Sequence, residues 1–469
     1  MRKIGLYALA LMLAAPLILG VCPAQAADPA PAAAPAMATP ATPATAPSEA
    51  KPAAPAISER GKAILAVPTI PAKVKAAIEK SLKDPKTAAA TEKVIDPSQK
   101  PGFLGIPGAP DPSLIGALLW AVWVGWIFST VGAFGGIMAG VGHITVFGLG
   151  PYAGDYGKGH PVNTTLTDSI RVSNQWLVGL SSLISSFNYY KMGRLVLPLG
   201  AFLAIGSMVG ATMIPELTAG KISLRAYIGY FGLLVFLVGF VLLYETTPKG
   251  QAGKKKAKEA AAAFEKQAKD GTAGDEGVKI TAGSTKMMAI ALLLTVAGAL
   301  VHSLGKGHIH PWIGFSMLLA GLVVSFFGGT TKFTFFGVEF EFKSYLPVLG
   351  GLIIAALSSF IGVGGGFLYV PYLTSIAGLP MFIVAGTSAM AVFVSMIASI
   401  FSYMVGQGVV TQWSFIGLEL VGIFAGSVIG PRTQKYIPDI WLKRLFVLIA
   451  FYVGARYLER GFFGTSILP

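Results

Sequence analysis

The sequence predicts an all-α polytopic membrane protein of two repeats in inverted orientation. Each repeat carries a Gly-broken helix or re-entrant hairpin, and about eight full spans accompany the broken segments. Three observations carry this expectation. Of the 469 residues, 54% are apolar and 12% charged, whereas soluble domains carry about 25% charged residues. Long apolar runs with few charges recur along the chain, and two glycine-rich blocks come back in the same order in the two halves. An ordinary soluble enzyme is therefore excluded. The formal charge of +14 would suit nucleic acid, but the Lys and Arg residues lie between apolar runs, where they set orientation in a membrane. Nucleic acid is excluded as a partner and membrane lipid is expected. The single cysteine, Cys22, falls in the leader, so the mature chain holds neither an internal disulfide nor a Cys-ligated metal.

The elements follow in order. Residues 1–26 read as a signal peptide: Arg2 and Lys3 precede an apolar stretch from 4 to 21, and Ala24-Gln25-Ala26 suits cleavage after Ala26. A bacterial inner-membrane protein with an external N-terminus follows from that leader. Residues 27–112 form an external tail. Its first part, 27–58, is Ala, Pro, Thr and Ser, too poor in apolar area to fold; beyond it Val67, Ile70, Val74, Ile78 and Leu82 recur at helical spacing and predict a short amphipathic helix. Residues 113–245 are repeat 1, with apolar runs at 114–131, 136–149, 169–190, 195–215 and 224–244. Residues 246–285 are a charged cytoplasmic linker containing Lys254, Lys255, Lys256 and Lys258. Residues 286–343 hold two connecting helices, 286–304 and 312–328, and a loop; residues 344–469 are repeat 2, with runs at 346–361, 366–378, 381–405, 413–431 and 440–458. Runs 136–149 and 366–378 fall short of the roughly 17 residues a span needs. Both follow a glycine cluster and read as half-helices.

The repeat rests on two matched blocks. FSTVGAFGGIM at 128–138 aligns with SSFIGVGGGFL at 358–368, Gly132 over Gly362, a separation of 362 − 132 = 230. SSFNYYKMGRLV at 185–196 aligns with SIFSYMVGQGVV at 399–410, Tyr189 over Tyr403, a separation of 403 − 189 = 214. Inside a bilayer, backbone groups freed by a glycine break persist only where protein buries them or a cavity lies beside them, and a broken helix presents N–H groups and a positive dipole end that favour an anion. Glycines also serve close helix packing. If each broken segment returns to the side it came from, Lys191, Arg194, the Lys-rich linker and Arg432, Lys435, Lys443 and Arg444 all face the cytoplasm. Each half then has three full spans in opposite orientation, joined by two more; Arg456 and Arg460 lie on the external side as exceptions.

GVGGGFLYVPYL at 362–373, VAGTSAMAVFVSMIASIFSYMVGQGVV at 384–410 and GIFAGSVIG at 422–430 together resemble the sulfite exporter TauE/SafE family, also grouped as toluene sulfonate uptake permeases. The resemblance covers most of 113–460. In the first half Phe134 stands over Gly364, and Val172-Ser173-Asn174 over Gly386-Thr387-Ser388. The resemblance implies a secondary carrier for small sulfur-containing anions such as sulfite, sulfoacetate or other organosulfonates. A passive anion channel, or a membrane assembly factor or receptor without transport, is the alternative.

Gly135, Gly136, Gly364, Gly365 and Gly366 at the breaks are the candidate substrate contacts, with Ser173, Asn174, Thr387 and Ser388 beside them. These four short polar side chains either donate to sulfur-bound oxygens or serve as helix caps and interhelical bonds. Arg171, the basic residue nearest that position, either complements an anion or snorkels. Glu419 lies within the apolar run FIGLELVGIF, where a carboxylate often marks a coupling site; the alternative is a place near the interface. His302, His308 and His310 read as a bare loop, with no metal, and Trp120, Trp123 and Trp126 as packing surface. No nucleotide loop, nucleophile elbow or zinc-protease motif is present, so neither an enzyme nor a cofactor is expected. A homo-oligomer is left open.

Overall fold

The computed structural model describes residues 57–132, 135–157, 159–218, 224–252, 255–270, 277–305, 309–361 and 365–464. The leader with Cys22, the spacer to residue 56, Phe134, His308 and Gly364 lie outside the described residues.

The first described elements belong to the tail. Helices α1 (Glu59–Ala66), α2 (Ala72–Leu82) and α3 (Pro85–Val94) are separated by Pro71 and by Asp84, whose carboxylate accepts the N–H of Lys86 as an N-cap ahead of Pro85. The apolar stripe of α2, Val74, Ile78 and Leu82, is buried against Ile64, Ile95, Phe103 and Ile106. Where the periodicity predicts one helix, the tail holds three, and their buried residues join the core of the helix bundle, with α2 packed against Pro161–Lys191.

The first half then runs α4 (Leu114–Val131), α5 (Gly135–Val141) with a π-helical turn Gly142–Val146, α6 (Leu149–Asp155), α7 (Pro161–Lys191), α8 (Leu197–Thr218) and α9 (Leu224–Thr246). Between the halves lie α10 (Pro248–Ala252), α11 (Lys255–Asp270), strand β1 (Lys279–Ala282), helices α12 (Thr285–Leu304) and α13 (Pro311–Phe326), and strands β2 (Thr330–Phe335) and β3 (Val338–Lys343). The second half runs α14 (Tyr345–Ile361), α15 (Gly366–Pro371) with a π-helical turn Tyr372–Ile376, α16 (Met381–Phe401), α17 (Trp413–Gln434) and α18 (Asp439–Leu458). Among the described residues four helices are long and apolar enough to cross a membrane: α4, α12, α16 with its terminal turn, and α17. Shorter apolar helices include Gly135–Val146, Leu197–Met213 and Tyr345–Ser358. Large apolar side chains stand exposed on the outer helices, Leu293 at 70%, Trp312 at 66% and Leu448 at 67%. Such a surface is compatible with hydrocarbon and not with water. The chain is a multi-pass helical membrane protein.

One departure from an all-α chain is the antiparallel sheet β1-β2-β3. The segment that reads as a loop after α13 is TTKFTF, a Phe336-Gly337 turn, then VEFEFK; Phe333, Phe335, Phe340 and Phe342 alternate inward while Lys332, Glu339 and Glu341 face out. The aromatic face packs with Phe264 of α11, whose ring lies 6.2 Å from Phe335 and 4.4 Å from Phe382 at the start of α16.

Two opposite ends of the bundle are thereby marked. At the tail end, the Leu104 N–H donates to Gln412 Oε1 (2.8 Å) and Thr91 Oγ1 meets His160 Nε2 (3.0 Å). At the linker end, the Val278 N–H donates to Gly193 O (2.7 Å) and the Arg194 guanidinium stacks over Phe264, 5.4 Å from its centroid. Helix α7 starts at the tail end and finishes at the linker end; α16 starts beside Phe264 and runs the other way, to the loop that meets the tail.

Packing between the halves is reciprocal. Helix α4 of the first half lies against α17 of the second, and α14 of the second lies against α8 of the first. Each crossing is made by glycines four apart: Gly422, Gly426 and Gly430 on α17, Gly206 and Gly210 on α8. A Cβ on Gly426 would lie 2.0 Å from the Val122 carbonyl oxygen, and one on Gly206 would lie 1.9 Å from that of Val348. Backbones meeting this closely gain dispersion contacts that lipid cannot replace.

His160 ties the tail to α7. It is the N-cap: its Nδ1 accepts the Val162 N–H (3.1 Å), which leaves Nε2–H to donate toward Thr91 Oγ1 and Thr87 O. Burial pushes its pKa below the usual histidine value. A lowered histidine favours the docked state above about pH 6.5 and stops doing so as pH falls through the depressed value. Tail docking is expected to loosen on acidification, read as faster proteolysis within residues 57–112 at pH 5 than at pH 7.5. His160→Asn, which keeps a capping acceptor and removes the titration, is expected to flatten that difference.

Candidate functional site

Each of the two short segments doubles back along the helix before it. After α4 the chain turns at Gly132, left-handed at φ 78°, and α5 doubles back along α4, so that Trp120 Nε1 donates to Met138 O (3.1 Å). In the second half α15 returns along α14, and Tyr372 Oη donates to Leu346 O (2.8 Å). The hairpins come from opposite ends and meet in the interior.

The meeting point is built by few residues. Ser388 Oγ on α16 donates to Gly132 O (3.0 Å), and Tyr189 Oη on α7 donates to Ser129 O (2.7 Å) in the last turn of α4. A Cβ on Gly132 would sit 2.4 Å from Ala385 Cα, and one on Gly366 would sit 3.3 Å from Gly132 O. Gly366 is thus opposite the first turn, and Gly365 is the N-cap of α15. Gly135 and Gly136 open α5 and are buried, Gly135 against Phe128. Of the residues singled out in the sequence, Gly132's neighbours Ser388 and Gly366 come together here.

Others are engaged elsewhere. Thr387 Oγ1 accepts the Val196 N–H (3.1 Å) at the start of α8 while donating to Ile383 O (2.7 Å). Ser173 Oγ donates within its own helix, to Ser169 O (2.7 Å). Arg171 pairs with Asp168 at 3.5 Å and, with Asn174, Ile144 and Thr167, lines a cavity of about 20 Å³, room for one water molecule at most.

Asn174 belongs to a second cluster that the sequence reading did not find. Its Oδ1 lies 2.5 Å from His143 Nδ1, and His143 Nε2 lies 2.9 Å from Glu419 Oε2. Asn174, His143 and Glu419 are 5%, 1% and 0% exposed. The Phe147 and Phe415 rings stand 6.1 and 5.5 Å from the imidazole. Glu419 Oε1 is buried with no hydrogen-bond partner among the described residues. His143 sits in the π-helical turn that ends the first half-helix, and its visible sign is one ionisable residue in the apolar run GVGHITVFG. Polar contacts extend inward along α7: Gln175 Nε2 donates to Ser399 Oγ (2.8 Å), and Ser181 Oγ meets Ser427 Oγ (2.7 Å).

Arg194, at the linker end, is buried with Nη1 donating to Gln434 Oε1 (3.0 Å) and Nη2 to Pro431 O (3.0 Å). It completes the carbonyl end of α17, where a cation is favoured. Among the described residues no group of three His, Cys, Asp or Glu side chains is placed to hold a metal ion.

Known proteins resemble this chain in part. A protein of Methanocaldococcus jannaschii described as a probable membrane transporter protein is 34% identical over 117 residues, 23% of this chain and 43% of that relative. The chain therefore spans less than half the length of this curated relative. No solved structure matches. Residues 277–457 match the profile of the family described as sulfite exporter TauE/SafE, a stretch that begins just before β1 and ends within α18. In that stretch, with its returning hairpin and glycine-crossed helices, the chain is similar to the sulfite exporter TauE/SafE family, as it is over a shorter length to the probable membrane transporter protein.

Proposed function

We propose that the protein is a secondary carrier that moves small sulfur-containing anions, sulfite, sulfoacetate or other organosulfonates, across a bacterial inner membrane by alternating access of two inverted repeats. The observation that carries this reading is the meeting of two re-entrant hairpins from opposite ends, with Ser388 bound to Gly132 O. Half-helices whose N-termini lie at that depth offer an anion unpaired N–H groups and a positive dipole end. The opposed courses of α7 and α16, and the exchanged partners α4 with α17 and α14 with α8, support two inverted repeats that can rock about that point. With the tail outside, Lys191, Arg194, Lys255, Lys256, Lys258, Arg432 and Lys435 fall on the cytoplasmic side, as the distribution of basic residues requires. Gly135, Gly136, Gly365 and Gly366, with Ser388, are the contacts this reading assigns to the anion.

The test is uptake of radiolabelled sulfite, sulfoacetate and sulfate by liposomes containing the purified full chain. Saturable uptake of a sulfur anion with counterflow is expected, and Gly366→Leu, which fills the space opposite Gly132, is expected to remove it. Flux that rises without saturation and shows no counterflow would make the protein a channel. No flux of any anion from folded protein would sink the transport reading and favour a receptor or assembly factor.

A further inference from the structure

We propose that His143 and Glu419 form a proton-binding centre that couples anion movement to the proton gradient, one proton travelling with the anion in each turnover. The proposal rests on the carrier reading above and adds its driving ion.

The geometry leaves one proton free to move. Asn174 Oδ1, 2.5 Å from Nδ1, accepts from that nitrogen and holds its proton there. A single further proton is then shared between Nε2 and Oε2 across 2.9 Å. With it the pair is neutral overall, whether drawn as imidazolium and carboxylate or as imidazole and carboxylic acid. Loss of that proton leaves a bare carboxylate at 0% exposure among Phe415, Phe147 and aliphatic helices, which is strongly disfavoured. Gain of a second proton leaves the pair with one positive charge, stable only beside an anion. Glu419 Oε1, buried and without a hydrogen-bond partner among the described residues, is the atom that would take it. Anion binding at the hairpin tip, at the other end of the half-helix that leads to His143, therefore raises proton affinity, and by linkage proton binding raises anion affinity by the same factor.

The pair also connects the parts that would move. His143 ends the first hairpin, and Glu419 lies on α17, one turn from the Gly422 contact with α4. Asn174 extends the cluster to α7. A permanent ionic cement between the halves would need no free carboxylate oxygen.

Other ionisable groups surround the pair without replacing it. Helices α4 and α5 carry none. Helix α6 brings Tyr152, Asp155 and Tyr156, the two tyrosines bonded to each other at 2.8 Å. Helix α7 brings Asp168 and Arg171, paired at 3.5 Å, with His160 at its cap. Tyr403 ends α16, and Arg432 lies at the far end of α17. Arg456 stands on α18, and Arg460 beyond it donates to Thr145 Oγ1 (3.2 Å) in the turn that holds His143.

The test uses full-length protein in liposomes clamped at zero potential with potassium and valinomycin. Sulfoacetate is the probe, because it stays ionised near neutral pH and carries no proton itself. With the outside one pH unit more acidic, the wild type is expected to accumulate sulfoacetate about tenfold, since one coupled proton transmits a tenfold ratio. Glu419→Gln and His143→Gln are expected to exchange sulfoacetate across the membrane but to lose the tenfold accumulation. A second readout needs no transport: on adding sulfoacetate at pH 7, infrared difference spectra of the wild type show a protonated-carboxyl band, gained or shifted, that Glu419→Gln lacks. Accumulation by Glu419→Gln equal to wild type, wild-type exchange indifferent to the gradient, or absence of that band overturns the coupling and leaves the carrier standing. Absence of exchange for every sulfur anion overturns the carrier and the coupling with it.

Discussion

Replacing Gly132 with alanine is expected to lower anion uptake about 100-fold, the loss that follows when working groups are displaced by roughly 1 Å. The backbone at Gly132 has φ 78°, a conformation that costs an L-residue roughly 1–2 kcal/mol. The added methyl group would also stand 2.4 Å from Ala385 Cα and 2.6 Å from Ser388 Oγ. The first obstacle is main chain, which has no rotamer to yield. The hairpin tip must therefore retreat from α16, breaking the Ser388 bond to Gly132 O and opening the point where the halves meet. Gly417→Ala is the matched control, since nothing lies within 4 Å of a Cβ there and alanine favours the interior of α17 by about 1 kcal/mol. Uptake by liposomes, measured with thermal unfolding of the same samples, checks both. Normal uptake by Gly132→Ala would remove the hairpin tip from the transport path.

Gly206→Val and Gly426→Val are expected to destabilise the fold by about 3 kcal/mol each, read as a lower unfolding midpoint in detergent. The two sites are equivalent in kind: a Cβ would meet the Val348 carbonyl oxygen at 1.9 Å in one and the Val122 carbonyl oxygen at 2.0 Å in the other. In each, a helix of one half must move off the first helix of the other, and lipid does not fill so narrow a gap. Similar losses at both sites are the expected result. A large loss at one and none at the other would mean that one of the two crossings is looser than these distances require.

Legibility in the sequence followed the range of the interaction. The glycine breaks were visible because a break is local, and the short length of the runs behind them already demanded a turn. The alternation in TTKFTF and VEFEFK is equally local, but a search for runs long enough to span a bilayer passes over six-residue strands. In the tail, Val74, Ile78 and Leu82 announced α2, whereas α1 and α3 are polar and Ala-rich and depend on the core that Ile64 and Ile95 complete. Glu419 stood out as a carboxylate in an apolar run. Its partner did not, because His143 lies 276 positions earlier and only the folded arrangement of α5 against α17 joins them. Thr387 illustrates the remaining difficulty: it neighbours Ser388 in sequence, yet helical rotation turns one hydroxyl toward the Gly132 turn and the other toward Val196 N. Spacing alone does not say which face of α16 meets which neighbour.

The small sheet at the linker end bears on how such a chain is assembled. Strand β1 precedes α12, β2 follows α13, and Ala282 is paired directly with Lys332. The chain therefore leaves for the helix pair and comes back to the same point. A two-residue turn suffices to join antiparallel neighbours, so the pair is a cassette that insertion or deletion could add or remove while β1, β2 and β3 stay in place. Because that pair starts and ends at one sheet, the chain after Lys332 resumes from the point that β1 reached, with the cassette or without it.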